Sequence, residues 1–66
     1  MENFKTFMNE LNVYQVFKFG NEFVMSSRFK KPCLRKCISL ARNKNTYVEL
    51  WYVHGNGSRS LVQYWN

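Results

Sequence analysis

Three side chains in this sequence have the chemistry of nucleophiles or metal ligands, namely Cys33, Cys37 and His54. The two cysteines are four residues apart, which places them on the same side of a helix. A structural zinc site takes four ligands, and His54 is the only histidine in the chain, so no metal site is predicted. We interpret both cysteines as small apolar residues that help a helix pack against a core.

Other groups that catalysis requires are scarce. The acidic residues are all glutamates, and they are scattered over a predicted helix, a turn and a strand. The segment Gly55-Asn56-Gly57 is typical of a hairpin turn and lacks the pattern of a phosphate-binding loop. A chain of 8.0 kDa also has little room for a cleft that excludes water. We therefore expect a protein that is not an enzyme and that uses no cofactor.

Positive charge is concentrated in one segment of the chain. The sequence has ten Lys and Arg against four acidic residues, and no acid lies between Glu22 and Glu49. Most of the cations fall in that interval and are called the basic cluster: Arg28, Lys30, Lys31, Arg35, Lys36, Arg42 and Lys44. The charges of the three remaining cations and the four acids nearly cancel. The net charge of +6 therefore comes from the basic cluster.

The composition of the basic cluster favours an anion-binding site over a face that serves only solubility. A helix stabilised by its surface charges would pair Glu with Lys, and this segment has no Glu. Lys30 and Lys31 lie near the predicted helix start, where each unpaired cation costs about 0.3–1 kcal/mol. Arg35 and Arg42 share one flank of the helix, and Lys31 continues it. Phe29, between two cations, is either a core side chain or one that stacks on a base.

The spacing of apolar residues predicts the order α-β-β-α-β-β. Helices are predicted over 3–11 and 32–43, the second with an apolar stripe of Leu34, Cys37, Ile38 and Ala41. Strands are predicted over 13–19, 22–27, 46–54 and 60–65. We therefore expect a single small α+β domain over 1–66, in which an antiparallel sheet of two hairpins packs against helices.

Each hairpin turn predicts a register. A type II′ turn at Gly20-Asn21 pairs Phe19 with Glu22, Phe17 with Val24 and Val16 with Met25. A type I′ turn at Asn56-Gly57 pairs Tyr52 with Leu61 and Trp51 with Val62. The second register predicts a core face of Val48, Leu50, Tyr52, Leu61 and Trp65. The other face has Tyr47, Glu49, Trp51, Val53, Val62 and Tyr64, and its aromatics are either an interface or covered by the first predicted helix.

The N-terminal residues lack the pattern of a signal peptide, and no run of 18 apolar residues occurs. We therefore expect a cytoplasmic protein with reduced thiols and no membrane contact. A core this small is marginally stable alone, and an exposed edge strand would permit a homodimer.

Two functions follow as hypotheses. In the first, the protein binds single- or double-stranded nucleic acid largely without sequence preference, and Phe29 stacks on a base. Two members of the basic cluster, Lys36 and Lys44, add to the positive potential, and the other five contact phosphates: Arg28, Lys30, Lys31, Arg35 and Arg42. In the second, the protein is an inhibitor or adaptor that docks on an acidic protein surface through the basic helix, or on a partner through Tyr47, Trp51 and Tyr64. In size, element order and Asn/Lys/Phe/Tyr-rich composition the chain is similar to very small α+β proteins encoded by phages. That resemblance implies the second function, because such proteins often block a host or defence enzyme.

Overall fold

A computed structural model describes residues 11–66. It contains one helix and four strands: β1 (Val13–Lys18), β2 (Glu22–Ser27), α1 (Lys30–Ala41), β3 (Val48–Val53) and β4 (Arg59–Trp65). The strands form one antiparallel sheet in the order β2-β1-β3-β4, so the first strand of each hairpin is central and the second is an edge. This arrangement confirms the predicted small α+β fold.

The predicted order of elements is not confirmed in full. The order over the described residues is β-β-α-β-β, with one helix. The helix predicted over 3–11 lies outside the described residues except for Leu11, which is exposed and not helical.

The helix begins earlier than predicted. It starts at Lys30, with Phe29 as the N-cap residue in an extended conformation, and Pro32 is its third residue. Proline is tolerated there because the N–H groups of the first helical turn have no partner within the helix. The helix ends at Ala41, two residues before the predicted end, with Arg42 as the C-cap residue.

The core is formed by α1 and the two central strands. Cys33 and Cys37 are fully buried against Val16, Val48 and Leu50. Partly buried side chains surround this group: Tyr14, Val24, Met25, Leu34, Leu40, Ala41 and Trp65. The core therefore confirms the predicted inward position of Val48, Leu50 and Trp65.

The predicted apolar stripe of the helix is wrong at Ile38, which is 46% exposed. Helical geometry places Cys33 about 40° from Cys37 around the axis and Ile38 about 100° from Cys37 on the other side. Because both thiols are buried, the centre of the packed face lies between them, and Ile38 lies at its margin.

The turn of the first hairpin is centred one residue earlier than predicted. Phe19 and Gly20 have φ values of 56° and 83°, and the Asn21 N–H donates to the Lys18 carbonyl at 3.3 Å. Two central residues with positive φ are typical of a type I′ turn, not the predicted type II′ turn. The strands pair Lys18 with Glu22 and Phe17 with Phe23, which leaves Asn21 as an extra residue between the turn and β2. The predicted pairs Phe19–Glu22 and Phe17–Val24 are therefore wrong. The predicted pair Val16–Met25 is confirmed, because Val24 is an extra residue in β2 that shifts the register by one.

The turn of the second hairpin is also centred one residue earlier than predicted. The Gly57 N–H donates to the His54 carbonyl at 2.9 Å, and Gly57 has a φ of 91°. This geometry matches a type I turn over Gly55-Asn56 followed by a left-handed glycine. Trp51 therefore pairs with Leu61, and both predicted pairs, Tyr52–Leu61 and Trp51–Val62, are wrong.

The shift in the second hairpin changes which residues share a face. Val62 is the extra residue of β4, and Leu61 moves to the face of Trp51, opposite the helix. Beyond the bulge Val48 pairs with Trp65, as the predicted register requires.

A matched pair of leucine truncations tests this assignment of faces. Leu50 is 0% exposed and Leu61 is 43% exposed. We expect Leu50→Ala to lower the free energy of unfolding by about 2–5 kcal/mol, because it leaves a cavity in the core. Leu61→Ala should cost about 1 kcal/mol or less. Urea unfolding followed by circular dichroism measures both, and equal losses would contradict the burial of Leu50 and the exposure of Leu61.

Candidate nucleic-acid interface

The helix presents three members of the basic cluster on one flank. Lys31, Arg35 and Arg42 are exposed, and helical geometry places them within about 40° of one another around the axis. Along the axis they extend over about 16 Å. Burial of both thiols turns this flank toward solvent. The half-exposed Ile38 lies next to the flank.

The remaining members of the basic cluster surround this flank. Lys36 lies about 100° further around the helix, and Lys30 lies in the first turn. Arg28 precedes the N-cap residue and Lys44 follows the helix, and all four are exposed. The predicted site residues are therefore distributed around α1 and beyond both of its ends, and are not gathered in one small patch.

The carboxylates within residues 11–66 bind elsewhere. Glu22 forms an ion pair with Lys18, with 3.2 Å between Oε2 and Nζ. Glu49 accepts hydrogen bonds from the Tyr47 hydroxyl at 2.8 Å and from the Trp51 indole N–H at 2.9 Å. Among the described residues, no ion pair involves any member of the basic cluster.

The start of α1 is favourable for an anion. No side chain caps it by a hydrogen bond, and its first turn contains no acidic residue. The unpaired N–H groups and the positive end of the helix dipole therefore coincide with Lys30 and Lys31. Since these cations are electrostatically unfavourable next to the dipole, a bound anion would relieve the repulsion.

The structure rules out one of the two interpretations of Phe29, because this residue is not a core side chain. It is 70% exposed, although it is the N-cap residue of α1, which packs on the sheet. Its N–H donates to the Ser27 Oγ at 3.1 Å. The phenyl ring therefore lies on the surface between Arg28 and Lys30, where a base could reach it.

The alternative interface surrounds Glu49 on the sheet face opposite the helix. Tyr47 and Trp51 are half-buried, and both use their polar groups to bind the Glu49 carboxylate. The hydrogen bond to Glu49 raises the pKa of the Tyr47 hydroxyl, with smaller effects from desolvation and from the charges of Glu49 and Tyr64. These contacts give Tyr47 and Trp51 a structural role.

Tyr64 is more available than the other two residues of the alternative interface. It is 55% exposed, and its ring centroid lies 5.9 Å from that of Tyr47. Arg59, which sequence analysis did not single out, lies over Trp51 with its guanidinium carbon 4.5 Å from the ring centroid. This stacking could be predicted from the sequence only with the correct register of β4, which pairs Arg59 with Val53.

The thiols and the histidine lie in different surroundings. The Cys33 Sγ lies 3.7 Å from the Tyr14 carbonyl inside the core, whereas the His54 Nε2 lies 2.7 Å from the Ser60 Oγ next to a turn. Burial raises the pKa of both thiols, and for Cys37 burial together with the charge of Cys33 raises it to about 11.

Thiol chemistry tests this placement directly. Since the pKa of Cys37 lies about two units above 9.0, its thiolate fraction at pH 8 is about 100-fold lower than that of an unfolded cysteine. We expect iodoacetamide to label Cys37 of the native protein at pH 8 at least about 100-fold more slowly than Cys37 of the urea-unfolded protein. Mass spectrometry measures both rates, and rapid labelling of the native state would show that the helix does not bury these residues.

The described residues lack several features that other classes of binding site would require. Residues 11–66 contain no pocket and no group of three His, Cys, Asp or Glu side chains arranged to hold a metal ion. The single helix among them is too short and too polar to cross a bilayer. No family model matches the sequence, and neither a curated protein nor a solved structure matches it.

Proposed function

We propose that this protein is a small, non-enzymatic nucleic-acid-binding protein that contacts phosphates through the basic cluster. The observation that carries the proposal is the absence of ion pairs to that cluster within residues 11–66. Seven like charges along and beside one helix repel one another, and a polyanionic ligand would relieve that repulsion.

The geometry of α1 supports this proposal. Lys31, Arg35 and Arg42 lie on one exposed flank that is long enough to contact several phosphates of a strand. Contacts of this kind position a protein on nucleic acid without reading its sequence. Free thiols at Cys33 and Cys37 are consistent with a cytoplasmic location, which is part of the proposal.

Charge reversal on the exposed flank tests the proposal. We expect Arg35→Glu/Arg42→Glu to weaken binding to a labelled oligonucleotide by at least about tenfold at low salt, because two phosphate contacts become repulsive. The slope of log affinity against log salt should fall by about 1.4–1.8 for two lost contacts. Fluorescence anisotropy across a salt series measures both quantities, and circular dichroism verifies that the variant is folded.

A charge-matched control separates contact from net charge. Arg35→Gln and Arg59→Gln each remove one positive charge, but Arg59 lies over Trp51 and not on the helix. We expect Arg35→Gln to weaken binding more than Arg59→Gln does. Equal effects, or unchanged affinity in the folded double variant, would contradict binding by the basic cluster.

A second candidate function is that of a protein inhibitor or adaptor. The observation that favours it is the exposed Tyr64 beside Leu61, with Arg59 next to them on Trp51. Tyrosine and arginine are common among the residues that dominate protein interfaces. Docking of the basic helix on an acidic protein surface is the other form of this function.

Tyr64→Ala distinguishes the second candidate from the first. Because Tyr64 is 55% exposed, its truncation should leave the fold intact. If the second candidate acts through Tyr64, a captured partner protein should be lost with Tyr64→Ala and retained with Arg35→Gln. If it acts through the basic helix, the partner should be lost with Arg35→Gln and retained with Tyr64→Ala. If nucleic-acid binding is the function, Tyr64→Ala should not change oligonucleotide affinity. Quantitative mass spectrometry of pull-downs and anisotropy measure the two outcomes.

A further inference from the structure

Phe29 is the most exposed large apolar side chain among the described residues, at 70%. A phenyl ring in water forgoes the favourable free energy that its burial would supply. The ring does not extend the core formed by Cys33, Cys37 and the central strands. Single exposed apolar side chains are common on protein surfaces, so the ring points to a ligand only in combination with the groups around it.

The backbone on both sides of Phe29 is held in place. Phe29 has φ −105° and ψ 134°, its N–H donates to the Ser27 Oγ, and α1 begins at the next residue. The ring is thus attached to ordered structure at the junction of β2 and α1. A fixed platform loses less conformational entropy on binding than a side chain on a mobile loop.

The surroundings of the ring specify the chemistry of its ligand. Arg28, Lys30 and Lys31 are exposed beside Phe29, and no ion pair to them exists within residues 11–66. An apolar ring amid cations matches a flat, uncharged group that is linked to phosphates. A nucleotide base in a strand has this combination of properties.

We propose that the protein binds single-stranded nucleic acid in preference to duplex, with Phe29 stacked on one unpaired base. In a duplex each base is already stacked and paired, so its face is not available to a protein side chain. In a single strand the base can leave its neighbours and stack on the ring while Lys31, Arg35 and Arg42 contact the backbone. This inference rests on the proposed function and adds the class of ligand.

Anisotropy with strands of matched length tests the preference. The probes are a labelled 12-nucleotide single strand of thymine and a labelled 12-base-pair duplex at equal salt. We expect tighter binding to the single strand. Phe29→Leu, which keeps an apolar side chain but removes the aromatic ring, should weaken single-strand binding by roughly tenfold. It should change duplex binding less than about twofold, because only phosphates contribute there.

Two controls assign the loss to stacking. Tyr64→Leu removes another exposed aromatic ring, outside the basic cluster, and should leave single-strand affinity unchanged. An oligonucleotide with abasic sites keeps its phosphates but offers no base. On that probe the wild type and Phe29→Leu should bind equally, both as weakly as Phe29→Leu binds the thymine strand.

The results separate failure of this inference from failure of the proposed function. If Phe29→Leu leaves single-strand affinity unchanged, or weakens duplex and single-strand binding alike, stacking on an unpaired base is wrong. If Arg35→Glu/Arg42→Glu still weakens binding by at least about tenfold in that case, the nucleic-acid function stands without it. If the wild type binds neither probe at low salt, both proposals are wrong.

Discussion

The packing of two thiols determines the surface of this protein. Cys33 and Cys37 lie one turn apart and are buried against Val16 and Leu50, which fixes the rotation of α1 about its axis. Rotation of the helix would expose a thiol or bury a cation, and burial of an unpaired charge is very costly. One packing contact therefore determines that Lys31, Arg35 and Arg42 face outward together. It also places Ile38 at the margin of the core.

Positive charge lies at α1, whereas the described carboxylates are bound by residues of the sheet and its loops. Within residues 11–66, one carboxylate binds Lys18 and the other accepts hydrogen bonds from Tyr47 and Trp51, so neither neutralises the helix. Among these residues the positive charge of the helix thus has no acidic partner, and the uncapped N-terminus and the exposed Phe29 lie beside it. A polyanion with aromatic groups complements all of these features. On the opposite sheet face, Tyr47 and Trp51 donate hydrogen bonds to Glu49, and Arg59 stacks on Trp51. Tyr64 is the most exposed aromatic side chain of that face.

Sequence patterns predicted the elements of this fold better than their details. Apolar spacing located four strands and α1 because periodicity follows directly from burial on one face. The registers were correct beyond Val24 and Val62 and wrong by one residue near each turn, because a bulge in an edge strand leaves no clear signal in composition. The predicted stripe of Leu34, Cys37, Ile38 and Ala41 omits Cys33, and the burial of Cys33 turns the packed face of α1 away from Ile38. The basic cluster was evident from the sequence, but the exposure of Phe29 depends on the path of the chain into α1.

The most direct test of the central claim is a map of the binding surface by NMR. A 15N-labelled sample would be titrated with a short single-stranded oligonucleotide at low salt, and the shifts of its backbone amides would be followed. We predict that the largest changes fall on Phe29, Lys31, Arg35 and Arg42, with Tyr64 unaffected. Changes centred on Tyr47, Trp51 and Tyr64, or no changes at saturating oligonucleotide, would contradict the assignment of the basic cluster as the ligand-binding surface.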